Sequence, residues 1–262
     1  MSDQAGSDVT TRPSEPPDAV LRYAAHEDGI IDVHLPAQRL DPPSQPPVLP
    51  LVFYVHGGFW RQQTDRTHAR PLAEALARLG YVVAVPEYRR VGGAGGWPAT
   101  GDDVDSALAQ APELLRGAGV EVAGTTVVGH SAGGHLALWL ANQPHAVDRV
   151  VALAPVGDLR AAAETQMGSG ATVDLLGGTP EQVPEVYDAA DPATRLRSRP
   201  TCDVVVVHGD RDEDVPVGNS RGLRARFDWL DYRELPGRDH FDVIDPLSEA
   251  WPDVLAAIRG PA

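Results

Sequence analysis

Short β-branched runs alternate with segments of helical apolar spacing from about residue 20 to the end of the chain. Leu21–Ala25 and Ile30–Leu35 read as a hairpin joined by His26-Glu27-Asp28-Gly29, and the Pro-rich stretch 41–50 as a surface connection. Leu51–Val55 is apolar at every position, as expected of a strand covered on both faces, and Tyr81–Val85, Thr125–Val128, Arg149–Leu153, Asp203–Val207 and Tyr232–Leu235 read as further strands. Between them, 66–79, 101–116 and 247–259 carry apolar residues at helical spacing; the last presents Leu247, Ala250, Trp251, Val254, Leu255 and Ile258 to the sheet. Another apolar helix follows Ser131. This order predicts an α/β class domain, a mostly parallel sheet with helices on both faces and right-handed crossovers. Residues 1–19, polar, acidic and Pro-rich, read as a disordered tail; 20–262 form one domain, with 156–200 a small cap-like insertion of short helices.

In such a sheet, ligands meet the carboxyl ends of the strands. Gly129-His130-Ser131-Ala132-Gly133 stands between a strand and a helix, the context in which G-x-S-x-G presents a nucleophilic serine on a tight turn. Ser131 is the candidate nucleophile, and small neighbours leave room for its strained backbone. His56-Gly57-Gly58-Phe59-Trp60 ends another strand; Gly58 or Phe59 is expected to supply one oxyanion N–H and Ala132 the second, with His56 structural. In His208-Gly209-Asp210-Arg211-Asp212-Glu213-Asp214-Val215-Pro216, Asp212 is the chosen orienting carboxylate, with Asp210 and Asp214 as rivals that charge alone does not separate. His240 follows the last strand, where the order Ser, Asp, His requires the base. Phe59, Trp60, Trp97 and Phe241 could build an aromatic wall for substrate, and Gly92–Gly96 reads as a lip carrying Trp97 toward the site. For Trp60, ordinary packing is at least an equal reading. His135, one turn past Ser131, reads as a satisfied helix residue.

Charge and composition narrow the function classes. A formal charge of −15 with no clustered basic residues excludes a nucleic-acid binder. All 22 basic residues are arginine, so Schiff-base chemistry on lysine is excluded. The nine histidines show no metal-ligand spacing beyond His130/His135, and the acidic run from Asp210 fails as a calcium loop, with Val215 where glycine and Arg221 where glutamate would be needed. Neither metal nor cofactor is expected. No run of eighteen apolar residues is present, so no membrane partner is expected, and the polar N-terminus lacks the apolar core of a secretory signal. With one cysteine, Cys202, read as a packing residue, a cytoplasmic protein acting on a small molecule is the expectation.

Residues 51–250 resemble the α/β-hydrolase superfamily through His-Gly-Gly, Gly-His-Ser-Ala-Gly, His-Gly-x-x-Asp-x-x-Val-Pro and a late histidine, in family order. Within it, His56–Trp60, Gly129–Leu136 and Asp239–Ile244 resemble the kynurenine formamidase (arylformamidase) branch, which implies hydrolysis of N-formyl-L-kynurenine to kynurenine and formate. The resemblance carries Ser131 over as nucleophile, Asp212 as orienting acid and His240 as base. Leu176–Pro180 and Tyr187–Pro192 are instead more like small bacterial esterases and prolyl-oligopeptidase-like hydrolases, which implies a carboxylesterase for short acyl, acetyl or feruloyl esters. A non-catalytic ligand-binding member of the fold is the reading from another class, and the intact Ser131, Asp212 and His240 argue against it.

Overall fold

The computed structural model describes residues 9–36 and 48–260. Eight strands form one sheet: β1 Ala19–Arg22, β2 Ile30–His34, β3 Val48–Val55, β4 Val82–Pro86, β5 Glu121–His130, β6 Arg149–Leu153, β7 Asp203–Gly209 and β8 Asp231–Leu235. Their spatial order is β1-β2-β4-β3-β5-β6-β7-β8. The β1/β2 hairpin is antiparallel and β2 runs antiparallel to β4, whereas every later pairing is parallel. That is the mostly parallel α/β sheet expected. Part of the 41–50 connection lies outside the described residues.

Alternation along the central strands divides the core into two layers, because successive side chains point to opposite faces. Val52, Tyr54, Val83, Val128, Val151 and Val205 face α1 (Arg70–Arg78) and α9 (Trp251–Arg259). Leu51, Phe53, Val55, Val127, Val150 and Val206 face α2 (Ala99–Gly117), α3 (Ala132–Leu140) and α8 (Gly218–Arg226). Between β6 and β7, the 156–200 stretch holds four short helices, α4 Leu159–Glu164, α5 Met167–Leu176, α6 Pro184–Ala190 and α7 Pro192–Arg195. No helix among the described residues is long and apolar enough to cross a membrane.

Three local expectations change. The helix over 66–79 is a 3-10 turn, Arg66–Ala69, followed by α1, whose first turn contains Pro71. The last helix starts at Trp251, leaving Leu247 79% exposed rather than against the sheet. Asp245 Oδ1 accepts the Leu247 N–H at 2.8 Å and Ser248 Oγ donates to Asp242 O at 2.6 Å, so side chains close a turn where helix was expected. Residues 1–8 of the expected tail lie outside the described residues, but 9–18 lie along the body. Val9 is buried, and both terminal nitrogens of Arg12 reach Asp245 at 2.6 Å.

The elbow between β5 and α3 is closely packed. A Cβ on Gly133 would stand 2.1 Å from Val55 O, and one on Gly129 2.1 Å from Gly133 O. Gly133→Ala is therefore expected to cost more than about 3 kcal/mol of stability. Chemical denaturation checks this; an unchanged midpoint would mean that α3 moves freely away from the end of β3.

Candidate active site

Ser131 sits between β5 and α3 with φ 56° and ψ −118°, a left-handed conformation rare for a residue with a Cβ. The donation of Ser131 N–H to Leu153 O at 2.9 Å anchors it to β6, and Ser131 O accepts the His135 N–H at 3.0 Å as the helix begins. Ala132 is the first helical residue, so its N–H has no carbonyl one turn back to meet.

His240 and Asp212 reach this point from loops after β8 and β7. His240 Nδ1 donates to Asp212 Oδ2 at 2.6 Å. In the neutral imidazole this leaves Nε2 with its lone pair. The second oxygen of Asp212 accepts the N–H groups of Asp214 at 3.0 Å and Val215 at 2.7 Å. Burial pushes the Asp212 carboxyl up, but hydrogen bonds from His208 and His240, the His240 charge and the Val215 N–H hold it well below its ordinary value. Of its sequence rivals, Asp210 accepts the Gly237 N–H at 2.6 Å in an exposed turn, and Asp214 is exposed beside the site.

Two further histidines buttress this pair. His208, fully buried, approaches Asp212 Oδ2 at 3.1 Å and Val215 O at 2.9 Å through Nε2. Both partners only accept, so Nε2 carries the proton, and Nδ1 accepts from the Ser220 hydroxyl at 2.7 Å. His130 Nε2 donates to the His240 carbonyl at 2.9 Å; burial, then the nearness of His240, lowers its pKa well below the usual value. Neither contact was expected from sequence, although both residues stand inside the motifs that flagged the site.

Ser131, His130 and His240 line one cavity of about 390 Å³ together with Gly58, Phe59 and Phe241. Gly58 has φ 108°, and a Cβ there would lie 2.4 Å from Thr64 Cβ, so the loop after β3 requires glycine. Below it, His56 Nε2 meets Glu87 Oε1 at 2.9 Å and the ring stacks on Tyr88 at 4.4 Å, a structural footing for the loop. Phe59 is braced by α5: a Cβ in place of the Gly168 hydrogen would come 2.5 Å from its ring.

Two of the aromatic candidates lie elsewhere. Trp60 is fully buried, edge-on to His135 at 5.2 Å. Trp97 packs edge-on against Trp139 at 5.1 Å, and its backbone N–H donates to Leu175 O at 2.7 Å. The glycine loop before it is clamped, with Gly95 N–H donating to Arg90 O at 3.0 Å, so Trp97 ties α2 and α3 to α5 instead of walling the cavity. His135 Nε2 donates to Ala190 O at 3.1 Å inside the core, but its buried Nδ1 has no hydrogen-bond partner among the described residues, so the satisfied helix residue that was expected is satisfied at one ring nitrogen only.

A serine on a strand-turn-helix elbow, with an imidazole and a carboxylate delivered after the last two strands of a mostly parallel sheet, defines the α/β-hydrolase fold class. A family model, BD-FAE, matches residues 31–227, and the chain belongs to that family. It is 28% identical over 243 residues to esterase LipC of Mycobacterium tuberculosis, an alignment covering 79% of this chain and 56% of that protein. It is 25% identical over 227 residues to the kynurenine formamidase of Drosophila melanogaster, covering 80% and 72% respectively. The chain thus spans little more than half the length of the mycobacterial relative. A crystal structure of esterase B from Lactobacillus rhamnosis superposes with a TM-score of 0.73 at 19% identity, covering 93% of this chain and 84% of that one, a likeness of fold.

Burial lowers the His135 pKa to about 4, below the value of about 6.5 in an unfolded chain. Between these values the unfolded state binds the extra proton, so this contribution is present above about pH 6.5 and is lost as pH falls toward 4. His135→Gln is expected to remove about 2 kcal/mol of the stability difference between roughly pH 7 and roughly pH 5. Urea titrations at both values check it, and parallel curves for variant and wild type would contradict it.

Proposed function

We propose that this chain is a serine hydrolase of short carboxylic esters that works through an acyl-enzyme. The observation that carries this is the 2.6 Å bond from His240 Nδ1 to Asp212, which leaves the basic Nε2 on an imidazole lining the same cavity as Ser131. His240 takes the Ser131 proton as Oγ attacks the substrate carbonyl. The N–H groups of Ala132 and of Gly58 or Phe59 receive the oxyanion. His240 then returns the proton to the leaving oxygen or nitrogen, and a water activated by the same imidazole releases the acid. Asp212 holds the tautomer and stabilises the imidazolium. The BD-FAE family match and the esterase relative support ester substrates.

A second reading is hydrolysis of the aryl formamide N-formyl-L-kynurenine. It is supported by the Drosophila formamidase, of which the alignment covers 72%, and by the His56–Trp60 and Asp239–Ile244 motifs. A formyl group fills little of the cavity, so recognition would rest on the leaving group, beside Phe59 and Phe241.

Turnover of p-nitrophenyl acetate and butyrate, with N-formyl-L-kynurenine alongside, tests both readings. Ser131→Ala is expected to lower kcat by about 10⁴-fold or more, and Asp212→Asn by about 10³- to 10⁴-fold. Ester turnover that survives Ser131→Ala would overturn the mechanism. Formamide turnover far above ester turnover, and dependent on Ser131, would favour the second substrate.

A further inference from the structure

We propose that Asp214 is a specificity-determining residue that selects substrates whose leaving group carries a positive charge; the inference rests on the serine hydrolase reading. Asp214 lines the cavity of Ser131 and also a second cavity of about 560 Å³, and so stands at their junction. One of its carboxylate oxygens lies within 4.8 Å of both a ring nitrogen of His240 and an oxygen of Asp212. Its backbone is fixed there by donation to Asp212 Oδ1 at 3.0 Å. The side chain is in no ion pair among the described residues, whereas Asp158, across the second cavity, is neutralised by Arg226 at 2.8 Å.

The rest of the lining of the Ser131 cavity does not offset this charge, and Arg226, which lines the second cavity, is paired with Asp158. The cavity around Ser131 includes Asp65 and, among the described residues, no arginine. Its other histidines are neutral near pH 7: burial, with a smaller push from His56, lowers His68 to about 4, and burial lowers His130 well below its usual value. A leaving group must place its departing atom within hydrogen-bond reach of His240 to be protonated. On this proposal the carbons attached to that atom run past Asp214, which lines both cavities, and their far end enters the second one. There Met167 and Pro216 offer apolar contact and Glu213 a further carboxylate. A cationic end is attracted at this position and a carboxylate or sulfonate end is repelled. Because Asp214 is exposed, the effect is of the order of tenfold and is reduced by salt.

Three butyrate esters with leaving groups of similar size test this: butyrylcholine, its uncharged isostere 3,3-dimethylbutyl butyrate, and the butyrate ester of 2-hydroxyethanesulfonate. The ratio of kcat/KM for the cationic ester to that for the neutral one is expected to fall about tenfold in Asp214→Asn, and the neutral-to-anionic ratio by a similar factor. In the wild type both ratios are expected to shrink as ionic strength rises. Ratios that are the same in wild type and Asp214→Asn would overturn the assignment while leaving the hydrolase reading intact. If no ester of the set, nor p-nitrophenyl butyrate, is cleaved in a Ser131-dependent manner, the ester hydrolase reading fails and this inference falls with it.

Discussion

The backbone of Ser131 is held where few side-chain-bearing residues go, and three strands and a helix are arranged so that it stays there. A left-handed conformation of this kind costs on the order of 1–3 kcal/mol and persists only when its surroundings over-determine it. Here they do. The Leu153 carbonyl of β6 holds the Ser131 N–H, while Gly129 and Gly133 let β5 and α3 approach each other and the end of β3 without any Cβ between them. Those contacts also fix where Ala132 N–H lies relative to Gly58 and Phe59. The same packing that strains the serine therefore places the donors that would meet an oxyanion.

On the opposite side of the cavity the organising group is the Asp212 carboxylate. It accepts from His240, His208, Asp214 and Val215, so each of its oxygens is doubly occupied. A carboxylate held this way has little freedom to rotate, and its orientation is transferred to His240. The His240 carbonyl is in turn tied to His130, one residue before the serine. His240 and Ser131 are thus linked through this contact as well as through the cavity they share.

How much of this was legible in the sequence follows from how local each signal is. The alternation of β-branched runs and helical spacing depends on neighbours in the chain, and the eight strands fall close to where that pattern puts them. Glycine spacing around Ser131 records a contact between consecutive elements and was equally readable. Asp212 could be separated from Asp210 and Asp214 only by a partner 28 positions away. The roles of His208 and His130 depend on which acceptors fold against them, and sequence alone offers no distance. Trp60 and Trp97 failed as wall residues for the same reason: a large aromatic beside a site motif satisfies a core as readily as a cavity, and here His135 and Trp139 claim them. Leu247 had helical spacing, but the turn closed by Asp245 and Ser248 removed it from the helix.

The cavity wall includes Thr10, and two positions further on Arg12 is anchored to Asp245 across 233 positions of chain. The segment that contributes this wall is therefore moored by a contact between stretches far apart in the sequence. The sheet and elbow can form while that segment is still unmoored. Enclosure of the cavity is consequently governed by the encounter of two distant stretches instead of by growth of the sheet.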